Sequence, residues 1–347
     1  MHARRRLPLL LFCAVALGLA SCHTPSTQER TETAPVASAG VIAPATGILR
    51  VRGWVFNESP GRIVETANYR LHSTIPSHRI LERYAEYLEV CLAEFRTTFG
   101  PLPEPERRFD TYLFGSRSEW QDFTREFMND SASPFLNLGR GGYATRGTAV
   151  LYDLGPRDTL AIMAHEGWHQ YTQVTFRHAL PVWLEESIAT YMEGRAFEDG
   201  TITFDPWQNP QRRTMLRRAV EEQRMIPLID LINRSPQFFL QSDQGELLVY
   251  YAQLWALAHF LVEGEDERYA DGLRRLLQDA AAGRLVSTIV ASPDLPAGVR
   301  RQARMSHLGP AIVTVYFNRD FLEFERGYLA YVRALVEATP STASDSP

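Results

Sequence analysis

The segment with the clearest potential for chemistry is residues 165–169, which read His-Glu-Gly-Trp-His. On a helix, residues i and i+4 lie on one face, so His165 and His169 can direct both imidazoles at one metal ion. Glu166 lies about 100° around the helix, a better position for a general base acting on a metal-bound water than for a ligand. The pattern therefore predicts a Zn²⁺ cofactor and hydrolytic chemistry.

A third metal ligand can come from the next predicted helix. The segment Pro181–Tyr191 begins with proline, a favoured first helical residue, and carries the adjacent acids Glu185 and Glu186. A short connection between two helices can return a carboxylate to the metal, which gives a His₂Glu site with an open fourth position. On a helical wheel Glu186 shares its face with the small residues Ala189 and Thr190, whereas Glu185 points about 100° away. The wheel favours Glu186 without excluding Glu185.

The order His-Glu-x-x-His, then Trp-Leu-x-Glu-Ser-x-Ala-x-Tyr, resembles the gluzincin metallopeptidases, the clan that contains thermolysin and the zinc aminopeptidases. It is most similar to bacterial peptidase-MA-like domains, many of them of unknown function. The resemblance covers roughly residues 65–335, and its specific part is 160–193. It implies a metallopeptidase acting on peptide or protein substrates, with Glu186, not Glu185, as the third ligand. Ser187 is a departure, because these families usually carry Gly there.

The resemblance also implies residues around the metal. In gluzincins a Tyr or His from a later helix often polarises the substrate carbonyl, and the segment Tyr-Ala-Gln-Leu-Trp-Ala that starts at Tyr251 is similar to such a helix. Tyr251 is therefore the predicted carbonyl-polarising residue; Tyr250 is the alternative, and a packed core tyrosine is the non-functional interpretation. Glu193 lies on the same helical face as Glu186 and is the candidate carboxylate partner of a ligand histidine.

The N-terminal segment predicts that the protein is located in the cell envelope. Three arginines, Arg4–Arg6, precede the apolar run Leu7–Ala20, which is too short to span a bilayer as a mature helix. The run ends in Leu19-Ala20-Ser21-Cys22, which resembles a bacterial lipobox. Cleavage before Cys22 and its acylation would anchor the chain to the lipid bilayer as a lipoprotein facing the periplasm or the exterior. The alternative is an ordinary secretory signal with an incidental cysteine.

Composition narrows the possible functions and partners. The formal net charge of −5 argues against nucleic acid as a partner, because phosphate binding needs a basic surface. The 36 basic residues are all arginine, which excludes Schiff-base chemistry from a lysine. Of the three cysteines, Cys13 belongs to the predicted signal and Cys22 to the predicted anchor. Cys91 remains as a buried residue on the apolar face of a helix. The sequence does not predict an oligomeric state.

Hydrophobic periodicity predicts an α+β fold: a small mixed β-sheet lobe followed by a mainly helical lobe, with the zinc site on two helices at the junction. The predicted strands are 48–56, 68–74, 108–114 and 143–152, with a loop at 129–142. The predicted helices are 77–99, one from 116, 159–173, 181–193, 211–224, 244–263, 266–282 and 320–337. The predicted divisions are a signal peptide (1–21), a disordered tether (22–46), an α/β lobe (47–155), a helical metal-site lobe (156–338) and a disordered tail (339–347).

These features predict a membrane-anchored zinc hydrolase, in the first place a metallopeptidase that uses Glu166 as its base. One alternative is a zinc hydrolase that acts on another envelope amide, such as cell-wall peptide. A second alternative is a non-catalytic zinc-containing lipoprotein that serves as a binding module. The presence of Glu166 counts against the binding module, because a structural zinc site has no use for a general base.

Overall fold

The computed structural model describes residues 47–136, 141–198, 201–242, 244–304 and 308–337. The predicted signal peptide, the lipid-attachment residue Cys22, the tether and the tail lie outside these residues. Within the described part of the chain, no helix is both long enough and apolar enough to cross a membrane. The fold is α+β, with a mixed sheet followed by a mainly helical region, as the sequence predicts.

Six strands form one sheet in the first half of the chain, and two further strands form a hairpin in the helical region. The order in the large sheet is β1-β2-β3-β4-β6-β5; β3 and β6 lie parallel to β4, and the remaining neighbours are antiparallel. The strands are β1 (Arg50–Phe56), β2 (Ser59–Glu65), β3 (Tyr69–Ser73), β4 (Phe109–Phe114), β5 (Gly142–Thr145), β6 (Thr148–Tyr152), β7 (Arg195–Glu198) and β8 (Thr201–Phe204).

Helices connect the parallel strands and then make up most of the second half of the chain. They are α1 (His78–Thr97), α2 (Arg117–Met128), α3 (Ser133–Leu136), α4 (Pro156–Thr175), α5 (Val182–Tyr191), α6 (Pro210–Glu221), α7 (Leu228–Asn233), α8 (Pro236–Ser242), α9 (Gln244–Glu267), α10 (Ala270–Ala281), α11 (Leu285–Ala291), α12 (Ala297–Arg304), α13 (Gly309–Ile312) and α14 (Phe321–Glu337). The helical backbone of α9 is interrupted at Gly264, which agrees with separate predicted helices at 244–263 and 266–282.

The two faces of the large sheet carry different cores. Residues such as Leu71 and Leu113 join the main core, which α1 and α4 share, whereas Phe114 and Val150 join a smaller aromatic core under α2. Helix α4 contacts β5 and β6 on one side and α1 and α5 on others. It therefore lies at the junction of the sheet and the helical region, where the sequence analysis placed the metal site.

Several elements differ from the prediction. The single strand predicted at 143–152 is wrong: a turn at Arg146 and Gly147, both with positive φ, divides it into β5 and β6. Strand β2 was not predicted, because its hairpin turns at Asn57-Glu58 without the glycine that usually marks such a turn. The predicted loop at 129–142 contains α3. The β7–β8 hairpin and the short helices α7, α8, α11, α12 and α13 were also not predicted.

Candidate metal centre

Helix α4 is buried on almost every side. Its histidines and its glutamate therefore lie in the interior of the protein and not on a solvent-exposed polar face. Each residue from 162 to 172 is buried. The Trp168 ring packs edge-on against Phe95 of α1. A Cβ at Gly167 would lie 3.3 Å from the Phe95 ring, so glycine at this position lets α1 and α4 approach closely. The close helix contact at Gly167 is therefore made with α1.

Three side chains from α4 and α5 converge on one point. His165, His169 and Glu186 are each 0% exposed, and their candidate ligand atoms all lie within 4.8 Å of one another. The Nε2 atoms of His165 and His169 lie 3.4 and 3.8 Å from Oε2 of Glu186. Tetrahedral ligands at about 2.0–2.1 Å from a zinc ion are separated from one another by about 3.3–3.4 Å. The spacing therefore fits a single small divalent cation.

The outer nitrogen of each histidine is held by a carboxylate. Nδ1 of His165 lies 2.9 Å from Oε1 of Glu193, and Nδ1 of His169 lies 3.0 Å from Oε1 of Glu185. Because a carboxylate accepts, each Nδ1 carries the proton and donates it, which leaves the Nε2 lone pair for a metal. Both Nε2 atoms are buried, and neither has a hydrogen-bond partner among the described residues. Buried nitrogens without such a partner are costly in a folded protein, and a bound cation would satisfy them.

Glu166 lies beside these three candidate ligands and is not one of the converging group. Its side chain is 0% exposed, and neither carboxylate oxygen has a hydrogen-bond partner in the described part of the chain. Burial raises the pKa of Glu166 to about 7; His165 and His169 oppose this rise. A carboxylate whose pKa lies near neutrality can accept a proton and later release it, so the position suits a general base.

Glu193 is fixed from the opposite side by helix α6. Arg212 donates from Nη2 to Oε1 at 2.8 Å and from Nε to Oε2 at 3.2 Å, and Asn209 donates to Oε2 at 2.7 Å. Burial alone would raise the pKa of Glu193, but Arg212 and His165 lower it to about 2. Glu193 is therefore an ionised and fully hydrogen-bonded carboxylate that determines the orientation of the His165 ring.

The same carboxylates change the protonation of His165. Burial alone would lower the pKa of His165, but the neighbouring carboxylates of Glu186 and Glu193 raise it to about 10. In the metal-free chain, a proton on Nε2 can therefore supply positive charge at this point. A metal that binds at Nε2 must displace that proton, so metal binding and proton release are coupled.

Glu185 is a site residue whose contact with His169 was not predicted from the sequence. The sequence offered it only as an alternative third ligand, whereas in the structure its Oε1 accepts from His169 and also from the Thr172 hydroxyl at 2.5 Å. The reason is geometric: consecutive residues on a helix differ by about 100°, so both can flank one neighbouring helix. Glu186 reaches the Nε2 atoms, and Glu185 reaches the outer nitrogen of His169. The adjacent pair of acids was the only sequence signal for this second role.

The structure places Tyr251 next to the ligands and Tyr250 away from them. The Tyr251 ring is buried, and its centroid lies 6.4 Å from that of His165, edge to face. The Arg212 guanidinium carbon lies 5.2 Å from the Tyr251 ring centroid. The Tyr250 ring instead stacks on Phe239 of α8. Arg212 was not singled out from the sequence, because no spacing relative to the histidines marks a residue on α6.

Comparison with known proteins gives one family match. A model of the family described as "Protein of unknown function (DUF1570)" matches residues 159–280, about a third of the chain. The matched segment runs from α4 into α10 and contains all the residues of the metal centre described above. No curated protein matches the chain.

Proposed function

We propose that this protein is a zinc-dependent hydrolase and, more specifically, a metallopeptidase of the gluzincin type. The observation that carries the proposal is the buried convergence of His165, His169 and Glu186, with the carboxylate of Glu166 beside it. A structural zinc site closes all four positions with protein ligands. Three ligands together with a carboxylate that has no hydrogen bond to the described residues favour a catalytic centre instead.

The chain supplies a base and holds the ligands in position. A zinc ion held by His165, His169 and Glu186 supplies Lewis acidity, which polarises a carbonyl oxygen and lowers the pKa of water. Glu166 accepts a proton from the attacking water at a carboxylate oxygen and passes it to the leaving amine. Because Glu166 is buried, the proton transfer takes place in a region of low dielectric constant, where charges interact more strongly than in water.

The residues around the ligands keep the geometry fixed during this reaction. Glu193 and Glu185 hold the two imidazole rings in the tautomer that presents Nε2. Arg212 keeps Glu193 ionised, so that carboxylate can stabilise the His165 ring without taking its proton. Tyr251 is our candidate for donating a hydrogen bond to the substrate carbonyl, because its ring lies against His165.

Peptide bonds are the proposed target because of the resemblance to gluzincins, which is an argument by analogy. The test is to incubate the zinc-loaded protein and a chelated control with a peptide library and with purified cell wall, and to identify the products by mass spectrometry. The proposal expects zinc-dependent cleavage of library peptides. Release of fragments from cell wall alone would identify the other envelope amide as the substrate. If zinc-loaded and chelated samples give the same products, the chain is not a zinc hydrolase.

We also propose that the protein is a lipoprotein of the cell envelope, since Leu19-Ala20-Ser21-Cys22 matches a lipobox. Two or three acyl chains on one cysteine give stable membrane attachment. Cells that express the wild-type chain should incorporate labelled fatty acid into it, whereas Cys22→Ala should not be labelled and should leave the membrane fraction. A wild-type chain without label would show that the segment is an ordinary secretory signal or no signal.

A further inference from the structure

A cavity of about 330 Å³ lies beside the metal centre, between the first turns of α4 and α6 and the start of strand β7. Its lining includes the buried Glu193, which also holds His165. The hydrogen bond between His165 and Glu193 therefore connects the cavity wall to a candidate metal ligand. The exposed lining includes the polar residues Arg157, Gln208 and Gln211, so the cavity is reached from solvent.

The buried polar groups of the cavity wall already have partners. Both oxygens of Glu193 accept hydrogen bonds, from His165, Asn209 and Arg212. Arg195, the other buried charged residue in the wall, forms an ion pair with Glu94 at 3.0 Å. These groups therefore have little capacity to bind a ligand. The choice of ligand must depend on the exposed residues that line the cavity.

The exposed polar lining consists of one guanidinium, which only donates, and two amide groups, which both donate and accept. The Arg157 guanidinium packs over the Phe197 ring at 5.5 Å and has no hydrogen bond or ion pair with the described residues. The side-chain amides of Gln208 and Gln211 likewise make no hydrogen bond to any described residue. Asp158 lines the cavity too, but it is already engaged in a polar interaction. A guanidinium carries five N–H donors and no acceptor, and its planar fork matches a carboxylate.

We propose that this cavity binds a carboxylate of the substrate, from an acidic side chain or from a free C-terminus, with Arg157 as the charged donor. This inference rests on the proposed function and adds a specificity to it. The Phe197 ring and the adjacent alanines of the wall contact the aliphatic part of the bound residue. A carboxylate held here lies on the His165 side of the metal centre, because Glu193 lines the cavity and also accepts a hydrogen bond from His165.

The test uses binding, so that it does not depend on turnover. The full chain carrying Glu166→Gln is loaded with zinc and titrated by calorimetry with two matched pairs of peptides. One pair is acetyl-Ala-Ala-Glu-Ala-amide against the same peptide with Gln; the other is acetyl-Ala-Ala-Ala as the free acid against its amide. The carboxylate member of at least one pair should bind about tenfold more tightly, the effect of one charge-assisted hydrogen-bonding pair. The two pairs distinguish a side-chain carboxylate from a terminal one.

Arg157→Gln in the same background should abolish this preference without changing zinc content or the unfolding midpoint. Arg284→Gln is the matched control: Arg284 is an exposed arginine paired with Asp279, and it does not line the cavity. Equal affinities within both pairs would overturn the inference, as would a preference that survives Arg157→Gln. A carboxylate preference in a protein that hydrolyses nothing would instead contradict the proposed function and leave the cavity assignment intact.

Discussion

Two clusters of buried charged side chains lie in the helical core and differ in how their charges are balanced. In the first cluster, Arg195 forms an ion pair with Glu94 and donates hydrogen bonds to the Tyr87 hydroxyl and to Cys91 Sγ. The positive charge of this cluster is the Arg195 guanidinium, which belongs to the chain itself. In the metal centre, two histidine nitrogens and a carboxylate oxygen converge at distances that suit a shared ion rather than direct hydrogen bonds.

The difference separates a polar cluster that is complete within the chain from one that we propose is functional. A buried charge is costly unless a partner offsets it, and the Arg195 cluster contains its own partners. The candidate metal centre instead brings four carboxylates and two imidazoles together in one small region. A bound cation would offset the negative charge of these carboxylates. Substitutions in the first cluster should therefore affect folding, and substitutions in the second should affect metal binding and chemistry.

The largest expected effect is on the reaction itself. Glu166→Gln keeps the shape of the side chain and leaves the three ligands intact, so zinc content should not change. Loss of the general base should reduce the hydrolytic rate by about 10²–10⁴-fold. Glu221→Gln, at an exposed position on α6, provides the control and should keep the wild-type rate. Unchanged turnover in the Glu166 variant would assign the base to another residue.

The next effect concerns the structural cluster. Arg195→Met removes a buried cation and leaves Glu94 without its ion-pair partner, so the free energy of unfolding should fall by about 3–5 kcal/mol. Chemical denaturation of the zinc-loaded variant measures this loss, and metal analysis of the folded fraction should still find wild-type zinc content. A variant that folds as stably as wild type but loses zinc would show that the two clusters are not functionally separate.

A smaller effect is expected for the carboxylates that orient the histidines. Glu185→Gln and Glu193→Gln should each weaken zinc binding by about 10–100-fold, because the replaced groups hold the Nδ1 protons of the ligands. Competition with a chromophoric chelator measures both affinities. Wild-type affinity in Glu185→Gln would show that the hydrogen bond from His169 to Glu185 does not contribute to zinc binding.

The smallest effect is expected at Cys91. Its Sγ accepts a hydrogen bond from Arg195 at 3.3 Å, and Cys91→Ala should reduce stability by about 1–2 kcal/mol while zinc content is unchanged. Burial raises the pKa of the Cys91 thiol to about 11, so at neutral pH it stays protonated and unreactive. Alkylation should therefore be slow in the folded protein and fast in urea. Rapid alkylation of the folded chain would contradict this assignment.

The order of these effects also shows what could be predicted from sequence. The spacing of His165 and His169 depends only on helix geometry, and the α+β architecture depends on periodicities that the long helices display clearly. The role of Glu185 depends on how α5 lies against α4, which no pattern within α5 reveals. Arg212 joins the site from α6 through a tertiary contact with Glu193, and the β1–β2 hairpin lacks the usual turn glycine. Local signals therefore located the candidate ligands, and tertiary packing determines which residues contact them.

We propose above all that His165, His169 and Glu186 hold one zinc ion. The most direct measurement is the metal content of the purified full chain after zinc reconstitution and removal of loosely bound metal, compared with that of Glu186→Gln under the same conditions. We expect about one zinc per chain in the wild type, and little or none in the variant, because it replaces an anionic ligand with a neutral amide. A wild-type chain without zinc, or a variant that retains all of it, would contradict the account.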